Sequence, residues 1–166
     1  MNHRVRILGI DPGLRCMGWG IIDAEGSRLS HVAHGVVKPP TDQPLSERLV
    51  HLFQEVGKLV EAYQPDECGI EEAFMAANAS SALKLGHARA AALLAPAAAD
   101  RPVFEYAARL VKKSVVGTGA ADKSQIAAMI SVLLPGVKAT ADAADALAIA
   151  ICHAHHRSSQ QRGAVA

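Results

Sequence analysis

Short apolar segments separated by turn residues dominate the first 37 positions of the chain. Runs that combine β-branched and aliphatic residues cover residues 4–11, 17–22 and 31–37, and each predicts a strand. The first run ends at Asp11, directly before a Pro12-Gly13 turn. The two connections are short and contain Gly or Ser, so an antiparallel meander of three strands is expected.

A 3.6-residue apolar repeat replaces this pattern after Pro44, which is well suited to open a helix. The repeat predicts one amphipathic helix with a continuous apolar stripe. The stripe comprises Leu49, Leu52, Phe53, Val56, Leu59, Val60 and Tyr63.

Strands and helices alternate along the rest of the chain. Strands are predicted at residues 68–71 and 103–106, and helices at 80–95, 123–134 and from about 141 onward. A Gly-containing loop at 115–122 precedes the helix at 123. This order indicates an α/β fold with a mixed five-stranded sheet in a single domain, residues 1–156, followed by a flexible polar tail at 157–166.

Composition narrows the class of protein. Half of the 166 residues are hydrophobic and a fifth are charged, which is typical of a globular domain. The three cysteines, Cys16, Cys68 and Cys152, are scattered and odd in number, so no disulfide framework is expected. With no recognisable signal peptide or membrane-spanning run, these features favour the cytoplasm.

Charge is distributed unevenly. The segment up to Tyr106 contains 10 Lys and Arg against 13 Asp and Glu, a balance of −3, whereas the remainder contains 7 against 3, a balance of +4. A basic second half suits a polyanion such as nucleic acid. Because the net charge is only +1, acids in a nucleic-acid-binding protein of this kind would need a specific role.

Four acids lie at the predicted ends of elements. Asp11 and Glu71 end strands, while Asp142 and Asp145 lie three residues apart on one side of an apolar helix. Four carboxylates in one place repel one another unless cations hold them. Oxygen ligands select Mg²⁺ or Mn²⁺, and two such ions about 3.5–4 Å apart are the usual arrangement for phosphodiester chemistry.

Three of the acids also have a simpler explanation. Asp142 is a first-turn acid favoured by the helix dipole, with Thr140 as the N-cap. Asp11 can be a turn aspartate and Glu71 a surface acid beside Glu72. Asp145 is harder to explain structurally, because it lies a turn further into an alanine-rich helix.

Four segments together resemble the RuvC family of crossover-junction endodeoxyribonucleases, the bacterial Holliday junction resolvases. They are GIDPGLRCMGWGIID, IEEAFMAANASSALKLGHARA, VVGTGAADKSQ and ADAADALAIAICHAH, and the resemblance covers nearly the whole chain. It implies a ribonuclease-H-like fold and a homodimer that cuts opposing strands of a four-way DNA junction. It also implies two Mg²⁺ ions per active site, for which Mn²⁺ substitutes, and cooperation with the branch-migration proteins RuvA and RuvB.

The resemblance assigns roles to individual residues. It implies that Asp11, Glu71, Asp142 and Asp145 bind the metals. It further implies that Lys112 and Lys123 act in catalysis or DNA contact, and that Phe74 acts on bases at the crossover. Lys84, Arg89 and Lys113 are further candidates for contact with DNA. A solvated basic face is the alternative for the lysines, and core packing is the alternative for Phe74.

Two other features allow more than one interpretation. The small side chains of residues 80–95 permit close helix packing, either in a dimer interface or in the core. Cys152, His153, His155 and His156 cluster near a helix end, where polar side chains are favoured in any case. Their spacing lacks the paired pattern of a zinc site.

Other functions compete with a junction endonuclease. One is a YqgF-type ribonuclease-H-like nuclease acting on RNA, and another is an actin-like phosphate-binding ATPase, which also begins with a strand-end Asp followed by Gly. The ATPase needs two such domains, and this chain has room for one. A third is a DNA-structure-binding module without catalysis, which the intact set of acids disfavours.

Overall fold

The computed structural model describes residues 3–72 and 78–163, with side chains described as far as residue 157. Within these residues the chain forms five strands and five helices. The strands are β1 (Val5–Asp11), β2 (Met17–Glu25), β3 (Arg28–Val37), β4 (Glu67–Glu71) and β5 (Val103–Tyr106). The helices are α1 (Leu45–Tyr63), α2 (Ala79–Ala98), α3 (Ala108–Val116), α4 (Lys123–Leu133) and α5 (Ala141–Gly163).

The strands form one mixed sheet in the order β3-β2-β1-β4-β5. The first three strands pair antiparallel, and β4 and β5 extend the sheet in parallel with β1. The predicted α/β fold with an antiparallel meander and parallel extension is therefore confirmed. Among the described helices, none combines the length and apolar content needed to cross a bilayer.

Helix α3 was missed by the sequence-based prediction, which left residues 107–114 unassigned and began a loop at 115. The segment ARLVKKSVV is amphipathic, with Val111 and Val115 buried one turn apart. It ends at Gly117, whose φ of 90° lies in the left-handed region that closes many helices. Only the Gly-rich part after Val116 is a loop.

The helices cover both faces of the sheet, and the alternation of side chains along β1 separates two cores. Val5 and Ile7 point into a core formed with α3, α4 and α5. Leu8 and Ile10 point into the opposite core, formed with α1 and α2. Because β1 is covered on both faces, its sequence is an almost uninterrupted apolar run.

Helix α5 lies directly on the sheet because glycines in β1 and β2 leave room for its backbone. A Cβ atom on Gly9 would lie 2.1 Å from the carbonyl oxygen of Ala146, and one on Gly18 would lie 1.9 Å from that of Asp142. No side chain fits at either distance. The buried face of α5 is correspondingly small, with Ala143, Ala144, Ala146, Ala148 and Ala150 all buried.

The same contact sets the position of the first turn of α5. Gly18 is paired with Asp11 in the β1–β2 register, so the helix segment above Gly18 begins beside the carboxyl end of β1. The two acids of α5 are thereby brought next to the strand-end aspartate.

A buried polar network fixes the second half of α5 to the sheet. The ring of His153 lies 2.7 Å from a carboxylate oxygen of Glu67 and 2.6 Å from the hydroxyl of Tyr106. Arg157 adds two hydrogen bonds to Glu67, of 3.0 and 2.8 Å. His153 is fully buried and engaged in this network, so it does not join Cys152, His155 and His156 in a metal cluster.

Helix α5 continues through the position where the sequence suggested a tail. The backbone is helical to Gly163, and Arg157 is held by Glu67, so Arg157 belongs to the packed domain. The physical reason is the buried carboxylate of Glu67. The guanidinium of Arg157, one helical turn after His153, donates hydrogen bonds to it. The division into residues 1–156 and 157–166 otherwise stays a prediction.

Gly18→Ala tests the contact between α5 and the sheet. The added methyl group would overlap the Asp142 carbonyl, so we expect the free energy of unfolding to fall by roughly 1–3 kcal/mol or more. Gly57→Ala in α1 is the matched control, since its Cβ would meet nothing within 4 Å and should stabilise by up to about 1 kcal/mol. Urea denaturation at one protein concentration measures both. A Gly18→Ala variant as stable as the wild type would contradict this account.

Glu67→Gln tests the buried network through its pH dependence. Burial raises the pKa of Glu67, but hydrogen bonds from His153 and Arg157 outweigh it and lower the pKa from 4.5 to about 2. The ionised carboxylate thus stabilises the fold above about pH 4.5, and this stabilisation is lost as the pH falls towards 2. We expect Glu67→Gln to cost up to about 3 kcal/mol at pH 7 and progressively less below pH 4.5.

Denaturant unfolding between pH 7 and pH 3 measures this difference. Glu61→Gln, an exposed acid of α1, serves as the control and should follow the wild type across the range. A deficit in Glu67→Gln that stays constant with pH would show that packing, and not charge, is what the substitution disturbs.

Candidate active site

Four carboxylates line one cavity of about 510 Å³ at the carboxyl end of the central strands, and three of them belong to predicted site residues. Asp11 ends β1, Glu71 ends β4, and Asp145 projects from α5. Because β1 and β4 are parallel neighbours, their last residues lie at the same edge of the sheet. The close packing of α5 on Gly9 and Gly18 brings Asp145 of that helix to the same edge of the sheet. The structure therefore brings together three of the four predicted acids.

Asp142, the fourth acid, lies beside this group at the start of α5. Its negative charge contributes to the raised pKa values of Asp11 and Asp145. It also accepts a hydrogen bond from the thiol of Cys16, whose pKa is raised by burial and by this contact. Cys16 was not predicted to lie at the site. Cys16 follows Asp11 by five residues, at the end of the turn that joins β1 to β2. This proximity in the sequence could have indicated its place near Asp11.

The electrostatics of the cavity show an excess of negative charge. Burial, followed by repulsion from Asp145, Glu71 and Asp142, raises the pKa of Asp11 from 3.8 to about 7. Burial and repulsion from Asp145 raise the pKa of Glu71, and burial and Asp142 raise that of Asp145. Shifts of this kind mark a place where the protein holds like charges together at a cost in stability.

Two lysines partly compensate these acids. Lys112 of α3 and Lys123 at the first position of α4 both line the cavity. The Lys123 ammonium lies 3.8 Å from a carboxylate oxygen of Asp145. The positive charge of Lys123 also offsets a small part of the rise in the pKa of Asp11. Helix α3, which the sequence-based prediction missed, is thus the element that carries one of the two predicted lysines.

Asp122 is a further acid in the cavity wall that the sequence analysis did not single out. Its carboxylate accepts hydrogen bonds from the backbone N–H of Gln125, at 2.9 Å, and from the hydroxyl of Ser124, at 2.7 Å. The Asp122 N–H in turn donates to the side-chain oxygen of Gln125, which completes a capping box. Asp122 is therefore the N-cap of α4 and fixes the start of the helix, where Lys123 lines the cavity.

The acids form a cavity and not a preformed ligand cage. Across the residues whose side chains are described, no group of three or more His, Cys, Asp or Glu is already arranged to hold a metal ion. The donor chemistry nevertheless fits a hard divalent cation, since carboxylate oxygens face a cavity with uncompensated negative charge.

The remaining DNA-contact candidates fall in different environments. Lys84 and Lys113 are exposed on α2 and α3. Arg89 is turned inward: its Nε donates to the backbone carbonyl of Glu71 at 3.0 Å, and it pairs with Glu105. Phe74 lies outside the described residues.

Comparison with known proteins places this chain in one family. The family model described as crossover junction endodeoxyribonuclease RuvC matches residues 7–153. The chain is 76% identical over 166 residues, the whole of both chains, to the protein of that name from Maricaulis maris.

Two solved structures extend the comparison to the fold. The structure of Thermus thermophilus RuvC in complex with Holliday junction substrate has a TM-score of 0.86 and 31% identity, covering 94% of this chain and 96% of that one. The yeast mitochondrial Holliday junction resolvase Ydc2, with a TM-score of 0.68 and 14% identity over 95% of this chain and 86% of its own, shares the fold. With its ribonuclease-H-like sheet and acidic cavity, this chain belongs to the crossover junction endodeoxyribonuclease RuvC family.

Proposed function

We propose that this protein is an endonuclease that resolves four-way DNA junctions by paired symmetric nicks, in recombination and DNA repair. The observation that carries the proposal is the convergence of Asp11, Glu71 and Asp145 with Lys112 and Lys123 around one cavity. Membership of the RuvC family supports it, as does the likeness to a relative solved with a Holliday junction.

Divalent cations complete the proposed site. Asp11, Glu71, Asp142 and Asp145 would hold them. When bound, two Mg²⁺ ions would supply activation of water and stabilisation of the leaving 3′ oxygen, giving 5′-phosphate and 3′-hydroxyl ends, with Mn²⁺ as a substitute. Their charge would offset the repulsion that raises the pKa of Asp11.

The two cavity lysines have a separate role in the proposed reaction. Lys112 is half-buried and lines the same cavity, and its positive charge partly offsets the rise in the pKa of Glu71 and Asp145. Lys123 is exposed and reaches Asp145 from the start of α4. A scissile phosphate in the cavity would bring more negative charge, and both ammonium groups would stabilise the transition state electrostatically.

Contacts outside the cavity would orient the junction. Exposed Lys84 and Lys113 are suited to bind phosphates, which position DNA without reading its sequence. The interpretation of Phe74 as a side chain that stacks on bases at the crossover stays a prediction.

A dimer would supply two equivalent sites for paired nicks. In α2, Ala88, Ala91, Ala92 and Ala95 are buried in the core, so core packing accounts for these small residues. Leu83 and Leu94 on the same helix are 64% and 59% exposed, and we propose that they contact a second copy.

The same proposal includes cooperation with RuvA and RuvB. It also includes a cytoplasmic location, with which three free cysteines are consistent.

Asp145→Asn and Asp11→Asn test the reaction. Each removes one carboxylate charge while keeping side-chain size, so we expect Mg²⁺-dependent cleavage of a synthetic four-way junction to fall by roughly 10²-fold or more. Binding of the junction in Ca²⁺ should persist. Full cleavage by either variant would contradict the assignment.

The substrate is tested in the same assay. Symmetric nicks in a mobile four-way DNA junction, absent with linear duplex and with structured RNA, are expected. Preferential cleavage of the RNA would favour the YqgF-type alternative, and an intact junction after prolonged incubation would favour a binding module without catalysis.

The stability of the metal-free protein provides an independent test. Since Asp11 is buried among like charges, we expect Asp11→Asn to raise the free energy of unfolding in EDTA at pH 8 by roughly 1–3 kcal/mol. Mg²⁺ should stabilise the wild type and leave the variant nearly unchanged. Denaturant unfolding with and without the ion measures both effects. A variant that is less stable than the wild type in EDTA would show that the acids are not under mutual repulsion.

A further inference from the structure

Arg89 occupies a place behind the acidic cavity that suits neither a surface contact nor a catalytic group. Its side chain is only 18% exposed, although it lies on α2, which carries the exposed Lys84 five residues earlier. A second, smaller cavity of about 50 Å³ lies between Arg89 and the acids Asp11 and Glu71. Arg89 therefore adjoins the acids from the α2 side.

The guanidinium joins two neighbouring strands at their carboxyl ends. Its Nε donates to the backbone carbonyl of Glu71, the last residue of β4, at 3.0 Å. Its Nη2 pairs with the carboxylate of Glu105 on β5. In the parallel register Glu105 is partnered with Ile70 and Glu71 with Tyr106, so the two acceptors belong to residues one position apart along the paired strands.

The end of β4 is held from its other side by a backbone bond. The N–H of Glu72 donates to the carbonyl of Tyr106 at 2.8 Å, directly after the last paired residues of β4 and β5. Arg89 and this bond together hold both polar atoms of the peptide group that joins Glu71 to Glu72. The side chain of Glu71 projects from a backbone position that is fixed before any ligand binds.

We propose that Arg89 is a positioning residue for Glu71, holding the strand end so that its carboxylate meets the cations in the cavity. This inference rests on the proposed metal-dependent function. In this proposal Arg89 acts on Glu71 and not on DNA, since its Nε and Nη2 are engaged within the protein. Groups that orient a metal ligand from behind affect metal affinity by about 10–100-fold in other proteins.

Only arginine suits this place. A guanidinium presents donors in two fixed directions, so Nε and Nη2 reach a carbonyl and a carboxylate at once. A lysine ammonium at the same position would keep the charge but would lack the planar fork. The charge-conserving variant Arg89→Lys therefore separates positioning from charge.

The experiment compares three variants by metal titration without DNA. Mn²⁺ is titrated against wild type, Arg89→Lys, Glu105→Gln and Lys84→Gln, and thermal stability reports binding. We expect the half-saturating Mn²⁺ concentration to rise about tenfold in Arg89→Lys, and less but in the same direction in Glu105→Gln. Lys84→Gln, on the same helix, should respond to Mn²⁺ as the wild type does.

Junction binding in Ca²⁺ at several salt concentrations gives the second measurement. Arg89→Lys and Glu105→Gln should keep wild-type affinity and salt dependence, whereas Lys84→Gln should lose affinity with a shallower salt slope. Cleavage by Arg89→Lys should recover as Mg²⁺ is raised. Glu105→Gln, at an acid whose side chain is 46% exposed, keeps the test valid if Arg89→Lys does not fold.

Each outcome has one meaning. A wild-type Mn²⁺ response in both Arg89→Lys and Glu105→Gln would overturn the positioning role, as would a DNA-binding defect in Arg89→Lys like that of Lys84→Gln. A wild-type protein that shows no response to Mn²⁺ would instead refute the proposed function on which the inference rests.

Discussion

The backbone contact between α5 and the centre of the sheet is the constraint on which the rest of the structure depends. Glycines at positions 9 and 18 remove the side chains that would otherwise separate the helix from β1 and β2. The inner face of the helix consists largely of alanines. Carbonyl groups of α5 therefore occupy positions where side chains normally stand, and the acids of its first turns reach the end of β1. This close approach brings Asp145 to the cavity that Asp11 lines.

The acids that this geometry brings together repel one another. The fold collects acids whose mutual repulsion and burial raise the pKa of Asp11 to about 7, and it positions Lys112 and Lys123 at the edge of the same space. Such an arrangement opposes the stability of the metal-free protein. The far end of α5 contributes in the opposite sense, because Glu67 is buried with its partners His153 and Arg157. One helix thus carries a stabilising network at one end and a repulsive one at the other.

Much of this architecture could be predicted from local patterns. The strands of the meander, the long apolar stripe of α1 and the acids at element ends all follow from periodicity and turn chemistry. Helix α3 could not be separated from a loop, since its nine residues have a meaningful apolar face only when α5 covers Val111 and Val115. The inward direction of Arg89 was equally inaccessible, because it depends on how α2 docks beside Glu71. Arg157 was assigned to a tail because its partner, Glu67, lies 90 residues away.

The glycine and alanine contact also limits how this protein can diversify. Adding even a methyl group beneath α5 would lift the helix as a whole, since its carbonyls already touch the sheet, and both of its acids would move with it. The inner face of α5 is therefore closed even to the compensated exchanges of large and small residues that most cores tolerate. New substrate preferences must arise from the outer surfaces of α2, α3 and α4, where bulk can change without disturbing the carboxylates.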